Sequence, residues 1–412
     1  MAKTQYILIT ILVVAVVLGI AIYLYTAHSV KQVEKAPQRS SIVIRIGGAT
    51  APMYQIEKWI SILEKRYPNI TVIYDAVGSG KGIAGFLEGI YDIALHDPPM
   101  PTQQWEEAYR KYGPLLECPD VGGAVVLIYN IPGISGTLNL TGEIIANIFI
   151  GKIRNWCNKE ILRYNKGLIK TCKDHHYYIP IIPVVRREAS GTTFIFVTYL
   201  TIVSNTFRKI MRIQYSKRGP MAYFRPDWSS IWREYAHTIA YGIYASGNYG
   251  IASTVKRTPG SIGYVEWSYA IFSNLNMARI LNRYGNFVYP SYRNIVEAFE
   301  NAAEILRKEK FNPLGDLWKE KIFEKILNPP GNDSYPIIFF SHLTVKLYYK
   351  NPLKAIAVYR FLSVVWSMNN TYVRGYIPVP KSIRSICLST FIRYARVDNR
   401  SLTSFIGITK NS

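Results

Sequence analysis

Three short segments of the sequence combine a hydroxyl side chain with glycine where a strand pattern changes to a helix pattern. They are Gly48-Ala49-Thr50, Gly78-Ser79-Gly80 and Ser190-Gly191-Thr192. The N–H groups and the dipole at a helix start attract anions, and glycine lets the backbone approach a ligand closely. Each segment alone is explained by a hydroxyl that caps a helix. Three such turns together favour a binding site for a small anion.

Other kinds of site are less well supported by the residues. The run GSGKG (78–82) is not a nucleotide-binding P-loop, because Gly82 stands where that motif needs Ser or Thr. The cluster of Cys172, Asp174, His175 and His176 lacks the spacing of a metal site, so we expect a surface loop. The sequence offers no set of nucleophile, base and orienting residue. We therefore predict a binding protein that is not an enzyme and has no metal or cofactor.

The elements around the turns alternate as in an α/β protein. Residues 41–47, 70–74 and 91–95 have the composition of strands, and helical patterns follow the first two. This β-α-β-α-β order predicts a lobe with a mostly parallel sheet. A strand at 179–185 and the helix after it belong to a second lobe, which suits a chain of 412 residues.

The composition is that of a folded, strongly basic protein. Hydrophobic residues make up 49% of the chain, and 49 Lys and Arg against 27 Asp and Glu give a formal net charge of +22. Such a surface attracts anions in general. The basic residues are scattered and match no nucleic-acid-binding motif, so we expect no nucleic acid partner.

The N-terminal segment predicts a membrane helix. Residues 5–25 carry no charge and are long enough to span a bilayer as a helix. We favour an uncleaved single-pass anchor within residues 1–29, with the soluble body outside the cytoplasm. The alternative is a cleaved signal with Ala27-His28-Ser29 as the cleavage site, which would give a secreted protein.

The four cysteines allow disulfides in an exported protein. Cys157 and Cys172 bracket a short basic loop and are the favoured pair. A second pair, Cys118 with Cys387, stays open at this stage.

Seven runs of the sequence are similar, in the same order, to one known family. They are GGATAPMYQIEKW (47–59), VGSGKGIAGF (77–86), DIALHDPPM (92–100), GGAVVLIYNIPG (122–133), IFIGKIRNW (148–156), PVVRREASGTTFIFVTYL (183–200) and GIASTVKRTPGSIGYVEWSYA (250–270). On these runs the chain resembles the phosphate-binding receptors of ATP-binding-cassette (ABC) phosphate importers, in the type II periplasmic-binding-protein superfamily. Beyond residue 272 the similarity is reduced to helix and strand pattern, with GYIPV (375–379) near the expected end.

The resemblance implies a two-lobed α/β fold with a ligand cleft. Residues 42–127 and 267–403 would form lobe 1, and residues 128–266 would form lobe 2. The implied function is capture of inorganic phosphate by a monomer and its delivery to the permease subunits of an ABC importer. Rival ligands are sulfate, molybdate or a phosphorylated small molecule. Rival classes are a secreted phosphatase-like enzyme and an adhesion protein that has lost the ligand.

The resemblance also implies a set of phosphate-binding residues. They are Thr50, Ala51, Ser79, Asp97, Arg186, Ser190, Gly191 and Thr192, with Glu188 orienting the arginine. Two positions depart from the family pattern. Ala51 replaces a frequent aromatic residue, but the contact there is through the backbone N–H. His96 replaces a small residue before Asp97, so the local packing must differ.

The chemistry of Asp97 suits phosphate better than sulfate. An ionised carboxylate only accepts hydrogen bonds, and phosphate at neutral pH keeps a P–OH group that can donate one. Sulfate has no such proton and would be repelled. The alternative is a structural Asp that pairs with an arginine.

Overall fold

The computed structural model of the chain describes residues 16–23, 41–134, 136–308, 311–319, 321–368 and 371–407. Two compact units are present, Met1–Ser41 and Ile42–Ser412. In the first unit, residues 16–23 are helical (α1) and exposed. Within the described ranges, no helix has both the length and the apolar character to cross a membrane. Most of the predicted anchor, residues 5–15 and 24–25, lies outside the described residues, as do residues 27–29 of the cleavage alternative.

The second unit alternates strands and helices. Its strands are β1 (Ile42–Gly48), β2 (Ile70–Asp75), β3 (Ile93–His96), β4 (Leu115–Asn130), β5 (Asn139–Leu140), β6 (Ile182–Arg186), β7 (Ile243–Ala245), β8 (Ser261–Glu266), β9 (Asn276–Met277), β10 (Arg279–Leu281), β11 (Phe287–Val288), β12 (Ile338–Lys346), β13 (Tyr348–Tyr349), β14 (Arg396–Val397) and β15 (Arg400–Ser401). Its helices are α2 (Met53–Arg66), α3 (Ser79–Glu88), α4 (Thr102–Tyr112), α5 (Gly142–Ile150), α6 (Lys159–Leu162), α7 (Leu168–Asp174), α8 (Gly191–Val203), α9 (Asn205–Arg218), α10 (Met221–Phe224), α11 (Trp228–Tyr235), α12 (Gly247–Arg257), α13 (Trp267–Phe272), α14 (Tyr292–Lys308), α15 (Ile322–Lys325), α16 (Pro352–Ser367), α17 (Lys381–Tyr394) and α18 (Thr403–Ile406).

The main sheet has two halves that share the long strand β4. Its strand order is β2-β1-β3-β12-β4-β8-β6-β7, with β9 also pairing with β4. Residues 115–124 of β4 pair with β12, whereas residues 125–130 pair with β8. Strands β2, β1 and β3 are parallel in one half, as are β8, β6 and β7 in the other. The mixed α/β architecture predicted from the sequence is therefore confirmed, and the residue limits of each lobe stay a prediction.

The apolar patterns decide which faces are buried. Helix α8 is apolar on all sides, and every residue from Gly191 to Leu200 is buried, as expected for a core helix. Trp59, Trp156 and Trp267 are also buried.

Both cysteine pairs form disulfides. Cys157 and Cys172 are joined, with a Cα–Cα distance of 5.7 Å, as favoured from the sequence. The pair that the sequence left open, Cys118 and Cys387, is joined as well and connects β4 to α17.

Candidate functional site

Arg186 ends β6 with its guanidinium buried. The residue is 2% exposed, and its Nε donates to Glu188 Oε1 at 2.6 Å. Its Nη2 donates to the same oxygen, which also accepts from the backbone N–H of Gly247 at 3.0 Å. Glu188 thus contacts two of the three nitrogens of the guanidinium, and its role as an orienting carboxylate stays a prediction. The remaining nitrogen, Nη1, is buried and has no hydrogen-bond partner among the described residues.

Asp97 follows the end of β3 and is equally buried. Its backbone N–H donates to Ser79 Oγ at 3.3 Å, and its Oδ1 has no hydrogen-bond partner within the described part of the chain. Burial raises the pKa of the Asp97 carboxyl from 3.8 to about 7, and the nearby Ser341 hydroxyl and the Arg186 charge act in the opposite direction. A buried donor on Arg186 and a buried acceptor on Asp97 are therefore left for other partners.

The first two turns are held by hydrogen bonds and by close backbone contacts. The carbonyl of Thr50 accepts from the Tyr269 hydroxyl, and that of Ala51 accepts from the Tyr376 hydroxyl, each at 2.7 Å. In the second turn Gly78 has a φ of +92°, and a Cβ there would lie 3.2 Å from the Ala189 carbonyl oxygen. This conformation favours glycine, and it sets the start of α3 against the loop that follows Arg186.

The third turn starts α8 and contacts Asp97 directly. Ser190 caps the helix by accepting from the Thr193 N–H at 3.2 Å. A Cβ on Gly191 would lie only 1.9 Å from the carbonyl oxygen of Asp97. Glycine is required here because any side chain would push the two loops apart.

Asn248, near the start of α12, connects the first turn to the third and was not predicted. Its Nδ2 donates to Thr50 Oγ1 at 3.0 Å and to Thr192 Oγ1 at 3.4 Å. Its Oδ1 accepts from the backbone N–H of Glu266 at 3.0 Å. The signal that could have identified it is Ser246-Gly247, a fourth segment that combines a hydroxyl residue with glycine between a strand and a helix.

Contacts therefore link five of the residues predicted for the site, all of them buried. Asn248 links Thr50 to Thr192, Ser79 is bonded to Asp97, and Gly191 touches Asp97. Their roles toward a ligand stay a prediction.

Comparisons with known proteins identify the family of the chain. A model of the PBP superfamily domain matches residues 32–369. The phosphate-binding protein PstS of Methanocaldococcus jannaschii is 34% identical over 85% of this chain and 86% of its own length. The chain belongs to the PstS family of the PBP superfamily. The protein of the same name from Pasteurella multocida is 29% identical over 82% of this chain and 86% of its own length.

A solved structure has the same fold. It is a high-affinity periplasmic phosphate-binding protein, PfluDING, bound with phosphate at pH 8.5. The two structures match with a TM-score of 0.61 over 88% of this chain and 98% of the other, at 18% identity. The two-lobed architecture expected from the resemblance is thus confirmed.

Two further buried carboxyls, those of Asp120 and Glu266, lie close enough to Asp97 for its charge to affect them. Both carboxyl oxygens of Asp120 and the Oε1 of Glu266 have no hydrogen-bond partner in the described ranges. Burial raises the pKa of each well above its ordinary value, and the charge of Asp97 raises both further. Both carboxyls therefore hold a proton more strongly than an exposed carboxyl does. Neither was predicted, because a single acidic residue in an apolar strand pattern does not indicate what lies beside it.

His96 is a packed neutral imidazole. Its Nδ1 lies 2.9 Å from the Pro98 carbonyl oxygen, and its Nε2 lies 2.8 Å from Thr344 Oγ1. Burial lowers the pKa of His96 to about 4. The larger residue at this position is therefore accommodated by β12, which carries Thr344. Among the described residues, no group of three or more His, Cys, Asp or Glu side chains is arranged to hold a metal ion.

Proposed function

We propose that this chain captures inorganic phosphate in the cleft between its two lobes and delivers it to an ABC-type phosphate importer. The observation that carries this proposal is that Arg186 Nη1, a buried donor, and Asp97 Oδ1, a buried acceptor, both lack partners in the described structure. The two groups are close enough for the Arg186 charge to lower the pKa of Asp97. A partly protonated oxyanion satisfies both, because its oxygens accept from arginine and its P–OH donates to the carboxylate. The name of the relatives, phosphate-binding protein, points to the same ligand.

The other ligand contacts are neutral. Thr50, Ala51, Ser79, Ser190, Gly191 and Thr192 supply hydroxyl and backbone N–H groups around the same point. The N–H groups at the starts of α3 and α8 carry the positive end of each helix dipole. These neutral donors stabilise the charge of the dehydrated anion through several hydrogen bonds, so one arginine suffices as the charged contact.

Asp97 gives the cleft its preference for phosphate over sulfate. When ionised, its Oδ1 accepts from P–OH, and it repels a sulfate oxygen in the same position. Asn at this position would donate an N–H to sulfate, so the Asp97→Asn protein should bind both anions.

The protein acts outside the cytoplasm as a monomer. The apolar run at residues 5–25 tethers it to the membrane, which keeps it at high effective concentration near the permease. Closure of the lobes around phosphate presents the loaded form to the permease.

Calorimetry on the full chain tests the proposal. We expect one phosphate per chain and no competition by sulfate.

Arg186→Ala should lose about 2–5 kcal/mol of binding free energy, roughly thirtyfold to several-thousandfold in affinity. The matched control is Arg187→Ala, which removes the neighbouring, exposed guanidinium and should leave the affinity unchanged. Equal affinity of the unmodified protein for sulfate would refute the role of Asp97. Turnover of a phosphate ester would indicate an enzyme.

A further inference from the structure

A second pocket opens beside the C-terminal ends of β6 and β7. It has a volume of about 500 Å³, and the side chains that matter are those of Arg187, Arg218, Arg225, Asp227, Ser229 and Tyr244. We call it the three-arginine pocket. Its volume is typical of sites for small molecules, and none of its residues belongs to the proposed phosphate ligands.

The register of the sheet separates this pocket from the cleft. Arg186 pairs with Ala245, and Arg187 is the next residue beyond that pair. Side chains of successive residues in a strand point to opposite faces. Arg187 is accordingly exposed, whereas Arg186 is buried. The pocket is thus a separate site. Arg187, which lines it, follows Arg186 in the chain, but the two side chains point to opposite faces at the end of β6.

Two of the three arginines of the pocket are positioned by backbone carbonyls and not by acids. Arg187 Nη2 donates to the Tyr244 carbonyl at 3.4 Å, and Arg218 Nη1 donates to the Arg225 carbonyl at 2.8 Å. In the described structure none of the three arginines forms an ion pair with a carboxylate. Each guanidinium has five N–H donors, so most of them are available to a ligand or to water.

The charge of the pocket is unbalanced. Three guanidinium groups face one carboxylate, that of Asp227, whose Oδ1 already accepts from the backbone N–H of Ser230 at 3.1 Å. The hydroxyls of Ser229 and Tyr244, 3.0 Å apart, add neutral hydrogen-bonding groups. A flat basic surface exposed to water would have neither the concave shape nor these hydroxyls.

We propose that the three-arginine pocket binds a small anion with several phosphate groups, either condensed or esterified. A planar guanidinium can donate two parallel hydrogen bonds to two oxygens of one phosphate group. Three such forks around a volume of this size suit a ligand with more than one phosphate group. An extended acidic peptide is a poorer match, because the arginines converge on one pocket and do not follow a groove.

Calorimetry with inorganic tripolyphosphate tests the proposal. The full chain is first given just enough inorganic phosphate to fill the cleft, so that any further binding occurs elsewhere. The pocket variant is Arg187→Ala, Arg218→Ala, Arg225→Ala. The control variant is Lys209→Ala, Arg212→Ala, Arg233→Ala, which removes the same charge from exposed residues outside the pocket.

We expect the unmodified chain to bind one tripolyphosphate, with an affinity at least tenfold lower in the pocket variant and nearly unchanged in the control. Inorganic phosphate should bind equally well to all three proteins, so the result does not depend on the proposed function of the cleft. Three outcomes would overturn the proposal: no binding, an equal loss in both variants, or equally tight binding of a short polyglutamate peptide. The last outcome would identify the pocket as a docking site for an acidic protein segment.

Discussion

At the scale of single residues, several buried carboxyls make the stability of the protein depend on pH. Burial raises the pKa of Asp97 to about 7, and it raises the pKa values of Glu117, Asp120 and Glu266 well above their ordinary range. A carboxyl with a raised pKa binds more protons in the folded chain than in the unfolded chain. Stability then falls as the pH rises from the unfolded value toward the folded value.

Two buried histidines act in the opposite sense at lower pH. Burial lowers the pKa of His96 to about 4 and that of His342 well below its ordinary value of 6.5. Below pH 6.5 the two histidines bind protons in the unfolded chain more readily than in the folded chain, so they destabilise the fold in acid. Above it they are neutral in both states, and only the carboxyl effect remains.

We therefore expect the ligand-free protein to lose stability between about pH 6.5 and about pH 8, by on the order of 1 kcal/mol for each carboxyl that titrates in this window. Calorimetric unfolding across that range measures the slope. Asp97→Asn keeps the shape of the protonated acid and should remove the part of the slope that Asp97 contributes. A stability that rises with pH over the same interval would contradict the raised pKa of Asp97.

At the scale of elements, the site consists of five loops that follow strands. The loops after β1, β2, β6 and β7 each precede a helix, and the loop after β3 carries Asp97. Asn248 joins two of them because its amide donates to Thr50 and to Thr192. In the predicted division of the chain these threonines lie in different lobes, so this amide holds the lobes together.

Asn248→Ala should therefore weaken phosphate binding. Two buried hydroxyls would lose a donor, at a cost of about 1–3 kcal/mol. If the closed form alone bears this cost, the affinity should fall roughly fivefold to 150-fold. The matched control is Asn165→Ala. Asn165 is also buried, and its amide donates to the carbonyls of Asn139 and Ile161, away from the site.

Calorimetric affinity and melting temperature, measured together, separate the two effects. The control should lower the melting temperature without changing the affinity for phosphate. An unchanged affinity in the Asn248 variant would mean that this amide is only structural.

The elements that the sequence predicted are those built from local patterns. Strands β1, β2, β3 and β6 and the three turns depend on residues close together in the chain, where period and turn chemistry are visible. The residues that were missed depend on distant pairing. Strand β12 lies between β3 and β4 and brings Ser341 close to Asp97 and Asp120. Likewise, Cys118 and Cys387 are 269 positions apart, and no local pattern connects them.

At the scale of the whole molecule, the dominant property is the formal net charge of +22. The proposed phosphate site includes one arginine, Arg186, so nearly all of this charge lies elsewhere. A charged surface accelerates the encounter with small ions of the opposite sign, by about 10-fold to 1,000-fold in strong cases. Salt removes this effect as the screening length falls from about 30 Å at 0.01 M to about 3 Å at 1 M.

We expect the association rate of phosphate to fall at least severalfold between about 0.01 M and about 0.5 M salt, while the dissociation rate stays nearly constant. The reason is that long-range attraction acts on the approach of the ion, whereas the contacts that retain it are buried and poorly screened. Stopped-flow tryptophan fluorescence can follow both rates, because Trp267 starts the helix whose Tyr269 bonds to Thr50. If instead the association rate is independent of salt, the basic surface does not steer phosphate, and its charge must serve contacts with the membrane or a protein partner.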